Sequence, residues 1–254
     1  MRLATTALAS ALLVSLVPAL PGTLLGPSPL AAQHLVPDSL FRTRAPARPV
    51  LRVWEAGLVL GVTAGAMAID QSVRDDAREH GTGFRHNLSD FGNAFGNKFY
   101  VYPALVAGTL GGLAVKSRGL TRVSWRALEA TALAGASVEL VKTAVGRRRP
   151  DISPEDAFTF RGFTLKDNSF PSGHTAIAFA LATSLSRETR DRWSDAGFYA
   201  LATLTAFSRV NDDRHWLSDT VFGAALGIVS ARLVERWHRP ILVGPGVVGV
   251  SATF

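Results

Sequence analysis

Cysteine is absent from the 254 residues of the chain. A disulfide framework, a thiolate zinc site and a cysteine nucleophile are therefore excluded. The sequence also lacks a heptad pattern, a low-complexity tract and an internal repeat, which argues against coiled coils and repeat architectures. A chain of this length can bury one good core, so we expect one principal domain.

Charged residues are scarce at 19% of the chain, whereas hydrophobic residues make up 47%. This balance is more apolar than that of an average soluble domain and favours contact with a membrane. The net charge of +7 favours an anionic partner such as a phosphate ester or an anionic lipid head group. We expect no nucleic acid partner, because the basic residues form short clusters between apolar runs and no nucleic-acid-binding module is recognised.

The composition changes along the chain and divides it into four parts. Residues 1–32 are almost free of charge and rich in Leu, Ala and Val, as in a secretory signal peptide, although an uncleaved anchor is the alternative. Residues 33–52 contain several prolines and read as a linker. The helical domain is expected over 53–238, and an apolar Gly- and Val-rich tail of unassigned function over 239–254.

Six apolar segments rich in Ala, Leu and Gly recur within the domain and lack the two-residue alternation of strands. They are 56–69, 99–115, 127–145, 174–186, 197–208 and 216–231. The sequence therefore predicts an all-α six-helix bundle, embedded in a membrane. A span needs about 20 apolar residues, so we expect 56–69, which Asp70 follows at once, to pack beside the bundle or to lie at the interface without crossing.

The first polar block is KTAVGRRRP, in which Lys142 and Arg149 are seven residues apart. Two helical turns return side chains to nearly the same face, and Pro150 biases Arg149 out of the helix. Both cations can then point into one space beyond the helix end. Arg147 and Arg148, between them, are expected to be solvated rather than to broaden the positive field.

The second block is PSGH, directly before an apolar helical segment. A helix that begins near Ser172 presents unpaired N–H groups that suit a phosphate oxygen. Gly173 allows a ligand to approach the backbone closely, and His174 falls in the first turn beside that ligand.

The third block is SRVNDDRHWLSD, in which His215 and Asp219 are four residues apart. On a helix they are neighbours, so the carboxylate can accept the proton of one imidazole nitrogen and leave the other free to act. Arg209 supplies a planar, permanently charged group that suits phosphate. We read residues 211–213 as a polar loop rather than a cation site.

The order and spacing of the three blocks resemble the three-part signature of the type-2 phosphatidic acid phosphatase and vanadium haloperoxidase superfamily. Every signature position matches, and the resemblance is close over 142–219 and loose over about 53–235. It implies that His215 attacks phosphorus, that Asp219 holds the other ring nitrogen, and that His174 protonates the leaving group. It further implies phosphate contacts from five residues and no metal. These are Lys142, Arg149, Ser172, Gly173 and Arg209.

The resemblance predicts a metal-independent phosphatase that acts on a phosphorylated lipid or isoprenoid through a phosphohistidine. Phosphatidic acid, phosphatidylglycerol phosphate and undecaprenyl diphosphate share the reacting group, and the sequence does not choose among them or define an oligomeric state. We expect an exported bacterial envelope protein in the inner membrane with a periplasm-facing site. The alternatives are a soluble periplasmic acid phosphatase of broad specificity and a haloperoxidase, in which vanadate would be a cofactor rather than an inhibitor.

Overall fold

The computed structural model describes residues 50–80, 83–164, 168–189 and 191–238, so the expected signal peptide and tail fall outside the described residues. Seven α-helices form in these ranges. They are α1 (Val53–Glu79), α2 (Gly83–Gly96), α3 (Lys98–Ala114), α4 (Arg118–Val145), α5 (Gly173–Thr189), α6 (Arg192–Asn211) and α7 (Leu217–Trp237).

The long helices alternate in direction, which gives the bundle two ends. Near one end, α4 reaches Lys142, α5 begins and the α6–α7 loop carries His215. The turns between α3 and α4 and between α5 and α6 lie at the opposite end, where Arg126 of α4 binds Glu188 of α5 at 2.9 Å. The bundle therefore gathers all three polar blocks at the same end.

Helix α5 forms the centre of the bundle and contacts α4, α6 and α7. It is rich in alanine, and small side chains let the neighbouring helices approach closely. Added Cβ atoms at Gly223 and Gly227 of α7 would collide with the backbone of α5 or of the residue preceding it. This close packing fixes the start of α5 against the start of α7, where two of the three polar blocks lie.

Helix α1 packs antiparallel along α7. Glu55 near the start of α1 lies 3.5 Å from Arg232 near the end of α7. Asp70, fifteen residues later, accepts a hydrogen bond from the backbone N–H of Ser218 at 2.9 Å. The two helices are also the ones among the described residues that are long and apolar enough to cross a membrane.

Large apolar side chains on α1 and α3 remain exposed, including Val53, Leu60, Phe99 and Leu113. Exposed apolar surface on a folded chain is typical of a membrane or partner contact. Each of these two helices therefore presents an apolar surface suited to lipid.

The all-α prediction is confirmed, with seven helices described rather than six. The additional helix, α2, lies in a stretch that was read as a spacer. Its Ser89 and Asn93 side chains hydrogen-bond with Arg209 and Asp212 at the end of α6. The apolar segment predicted over 56–69 lies within a longer helix, since α1 continues to Glu79 and buries Asp70 against α7.

Candidate active site

The KTAVGRRRP block straddles the end of α4. Gly146 terminates the helix in the left-handed conformation (φ 61°), and its N–H bonds to Lys142 O at 2.9 Å. Lys142 is in the last turn, whereas Arg149 lies in the following loop. Arg149 thus lies in the loop where the sequence placed it. The turn at Gly146, rather than helical periodicity, brings it near Lys142, and the two cations interact electrostatically.

The PSGH block ties the start of α5 to α7. The backbone N–H of Ser172 donates to the carbonyl of Asp219 at 3.0 Å, and the Ser172 hydroxyl accepts from Thr175 Oγ1 at 2.9 Å. Gly173 is the first residue of α5, and a Cβ added there would meet only Val138 at an ordinary 3.6 Å. The protein itself therefore leaves room for a side chain at Gly173.

His215 lies in the loop before α7 rather than on the helix, and Asp219 is in the first turn. The Asp219 carboxylate nonetheless reaches back, with Oδ2 3.4 Å from His215 Nδ1 and 3.0 Å from the backbone N–H of Trp216. Burial lowers the pKa of His215 to about 4, although Asp219 acts in the opposite direction. The imidazole is thus neutral near pH 7, with Nε2 on the side of the ring away from Nδ1.

Arg209, in the last turn of α6, is held by α2. Its Nη1 atom donates to Asn93 Oδ1 at 2.6 Å and lies 3.7 Å from the carboxylate of Asp212. Three arginines, Arg148, Arg149 and Arg209, each bury an Nε–H group that has no hydrogen-bond acceptor among the described residues. Buried donors are rarely left unpaired, so each of these groups is suited to bind an anion.

His174 lies within electrostatic reach of several of the predicted site residues. The charges of Lys142, Arg209 and His215 all act on its imidazole, and Arg149 acts on both Lys142 and Arg209. The structure therefore brings together the cations and both histidines predicted from the sequence.

Lys98 belongs to the same electrostatic group and was missed by the sequence analysis. It begins α3 and acts on both His174 and Lys142. The preceding Gly96 packs so closely on His174 that an added Cβ would collide with its carbonyl oxygen. No local motif marks Lys98, because a tertiary contact between two helix termini brings it to the site.

Arg147 is fully buried, and the expectation that it is solvated is wrong. It forms ion pairs with Asp70 and Asp219, both at 2.7 Å, and its guanidinium lies over the Trp216 ring. Arg148 is half-buried rather than fully solvated. Asp70 was also missed, since a lone acidic residue after an apolar segment reads as a helix end.

The loop between α6 and α7 is polar, as expected, and its carboxylates are engaged by side chains. Asp212 accepts from Ser89 and Asn93 of α2, and Asp213 accepts from Arg74 of α1 at 2.7 Å. Within the described ranges, no group of three or more His, Asp or Glu side chains is arranged to hold a metal ion.

Residues 124–241 match the model of the PAP2 superfamily. The chain is similar to curated proteins that include two phosphatases. Lipid A 1-phosphatase of Porphyromonas gingivalis is 40% identical over 104 residues, which cover 40% of this chain and 21% of that protein. A probable diacylglycerol pyrophosphate phosphatase of Schizosaccharomyces pombe is 29% identical over 177 residues, covering 56% of this chain and 62% of that one.

Two solved structures share the fold at 20% sequence identity. The transmembrane PAP2-type phosphatidylglycerolphosphate phosphatase of Bacillus subtilis has a TM-score of 0.56, with 71% of this chain and 92% of that chain covered. LpxE of Aquifex aeolicus has a TM-score of 0.50, with 66% and 95% covered. The match to the PAP2 superfamily covers a little under half of the chain and includes all three blocks, which resemble the type-2 phosphatidic acid phosphatase signature.

Proposed function

We propose that the chain is a membrane phosphatase that removes a terminal phosphate from a lipid through a phosphohistidine at His215. The observation that carries the proposal is the pair of buried Nε–H groups of Arg149 and Arg209, which have no acceptor among the described residues. Arg209 acts electrostatically on His215, and Arg149 acts on Arg209. Positive groups without acceptors, next to a neutral imidazole, suit a phosphate group approaching a nucleophile.

In the first step, His215 Nε2 attacks phosphorus as the bond from phosphorus to the lipid oxygen breaks. Asp219 accepts the hydrogen bond from Nδ1–H and stabilises the positive charge that develops on the ring. His174 gives its proton to the leaving alkoxide. The negative charge of the bound phosphate favours the protonated imidazole that this role requires.

In the second step, water attacks the phosphohistidine and the phosphorus–nitrogen bond breaks. His174, now neutral, accepts the proton of the water. Lys142, Arg149 and Arg209, together with the Ser172 hydroxyl and the backbone N–H of Gly173 as we assign them, stabilise the charge on the phosphoryl oxygens. These cations do the work that a metal does in other phosphatases, so we propose that none is required, and vanadate is expected to inhibit.

A lipid substrate is supported by the exposed apolar faces of α1 and α3. Both helices border the site end of the bundle, since Asp70 of α1 contacts Ser218 and α3 begins beside His174. The P. gingivalis relative is a lipid A 1-phosphatase by name and the S. pombe relative a probable diacylglycerol pyrophosphate phosphatase. We propose a phosphorylated lipid of this general kind, monophosphate or diphosphate.

The antiparallel packing of α1 on α7 constrains the membrane topology. Because the two helices run side by side from Glu55–Arg232 to Asp70–Ser218, a bilayer that α7 crosses is crossed by α1 as well. With the site on the periplasmic side, residue 52 then starts in the cytoplasm, together with the basic α3–α4 turn. This topology requires residue 52 to stay in the cytoplasm. The predicted signal peptide over 1–32 fits it only if export does not move residue 52 across the membrane.

The test is phosphate release by the full chain, purified in detergent, from phosphatidic acid, phosphatidylglycerol phosphate, lipid A and a polyprenyl diphosphate in the presence of EDTA. We expect release from at least one lipid and none from the matched His215→Ala variant. Release only from soluble esters would instead indicate a broad-specificity acid phosphatase. Vanadate-dependent bromide oxidation by peroxide would indicate a haloperoxidase, and either result would overturn the proposal.

A further inference from the structure

Arg147 links two carboxylates in the interior of the protein. Its Nη2 atom donates to Asp70 Oδ2 and its Nη1 atom to Asp219 Oδ1, both at 2.7 Å. All three side chains are fully excluded from solvent. Asp70 belongs to α1, so a helix far outside the three sequence blocks reaches the carboxylate beside the proposed nucleophile.

The remaining polar atoms of this cluster are also satisfied. Arg147 Nε and Nη2 donate to the carbonyl of Ala157, and Nη1 donates to Ser218 Oγ at 2.7 Å. Ser218 in turn donates to Asp70 through both its backbone N–H, at 2.9 Å, and its hydroxyl, at 2.5 Å. A buried ion pair is costly unless its geometry is good and its polar atoms are paired, and this cluster meets both conditions.

The two carboxylate oxygens of Asp219 have different hydrogen-bond partners. Oδ1 is occupied by Arg147, while Oδ2 faces His215 Nδ1 and the Trp216 N–H. The carboxylate therefore cannot rotate without breaking a charged hydrogen bond, and the Nδ1–H tautomer of His215 is held in place. That tautomer leaves Nε2 free as the nucleophilic atom.

The charges explain why a second carboxylate is present. Arg147 alone would neutralise Asp219 and weaken its attraction for a cationic imidazole. Asp70 offsets the guanidinium, so the cluster of Asp70, Arg147 and Asp219 has a net charge of −1. When His215 gains a phosphoryl group and keeps its Nδ1 proton, the ring becomes cationic and the buried group as a whole becomes neutral.

We propose that Asp70 and Arg147 are positioning residues, which hold Asp219 in the orientation and charge state that His215 needs during phosphoryl transfer. The inference rests on the proposed function for its kinetic consequences. Its structural consequence, the Nδ1–H tautomer of His215, does not depend on which substrate the protein uses or on whether it is an enzyme.

The test compares Asp70→Asn and Arg147→Lys with wild type and with Glu55→Gln. Glu55→Gln is the control. It removes another charge of α1 that pairs with α7, through Arg232, but at the opposite end of the bundle. We expect kcat to fall about 10- to 100-fold in the first two variants, as for loss of a buried charged hydrogen bond, with KM within about threefold. Glu55→Gln should stay near wild type in both constants.

Histidine-selective 15N NMR gives the second readout, with the His215 signal assigned by its loss in His215→Gln. Wild type and Glu55→Gln should show the Nδ1–H tautomer, and Asp70→Asn and Arg147→Lys a mixture of tautomers. Should either variant fail to fold, Ser218→Ala takes its place. It removes only the bridging hydroxyl, so we expect a mixture of tautomers again and a smaller fall in kcat.

An unchanged tautomer, kcat within about twofold of wild type, or an equal loss in Glu55→Gln would each overturn the inference. If wild type hydrolyses no phosphate ester, the proposed function fails, and the tautomer comparison still decides the positioning role.

Discussion

Arg209 Nη1 and Asn93 Oδ1 are joined by a hydrogen bond of 2.6 Å between α6 and α2. The bond fixes one edge of the guanidinium, and the buried Nε–H group lacks an acceptor among the described residues. One arginine thus combines a protein contact with a donor left for a ligand. A helix that the sequence analysis did not predict sets the orientation of a predicted phosphate-binding residue.

Replacing Arg149 or Arg209 by Lys should lower kcat/KM at least about tenfold, because the point charge of an ammonium does not reproduce the planar, multiply donating guanidinium. The measurement is steady-state hydrolysis of the best lipid substrate. Arg214→Lys is the matched control, since Arg214 is exposed and binds Asp151 on the surface. Near-normal kinetics in both Arg149→Lys and Arg209→Lys would mean that these arginines are structural.

Gly173→Ala should leave stability near that of wild type but reduce activity. The added Cβ would meet only Val138 at 3.6 Å, whereas it would crowd a phosphate drawn close to the start of α5. Thermal unfolding and kcat/KM are the two measurements. Gly197→Ala on α6, where a Cβ has open space, is the control, and equal activity in the two alanine variants would remove Gly173 from the phosphate site.

His215 should make the folded state less stable in mild acid. Burial lowers its pKa from 6.5 to about 4, so below pH 6.5 the unfolded chain binds the proton more readily than the folded one. The resulting loss of stability is absent above pH 6.5, grows as the pH falls and reaches about 2 kcal/mol near pH 5.

Unfolding temperatures near pH 7 and pH 5 measure this loss. Wild type should lose more stability over this interval than His215→Gln, which has no imidazole at this position. Parallel losses in the two proteins would show that His215 does not resist protonation in the folded state.

Single cysteines test the membrane topology cleanly, because the natural chain has none. With a membrane-impermeant thiol reagent on intact cells, Glu155→Cys should be labelled, and Gly119→Cys and Arg52→Cys should not. Labelling after lysis controls for accessibility. Labelling at both Glu155→Cys and Arg52→Cys would mean that α1 does not cross, and labelling at all three positions would indicate a periplasmic soluble protein.

The sequence predicted the all-α fold and identified side chains that the structure brings together, because those side chains lie in blocks with characteristic spacing. It missed α2, whose Ser89 and Asn93 side chains bind the end of α6. It missed Asp70 and misassigned Arg147, since a buried ion pair 77 residues apart in sequence has no local pattern. Residues that lie close together in sequence form patterns that predict their contacts. Contacts between residues on distant helices depend on the packing of the whole bundle and leave no such pattern.

The central claim is that His215 carries the phosphoryl group, and a rapid-quench experiment with 32P-labelled lipid phosphate tests it most directly. The account predicts an acid-labile, base-stable label on His215 in wild type, a longer-lived label in His174→Ala, and neither label nor turnover in His215→Ala. Label on another residue, or turnover that persists in His215→Ala, would contradict it.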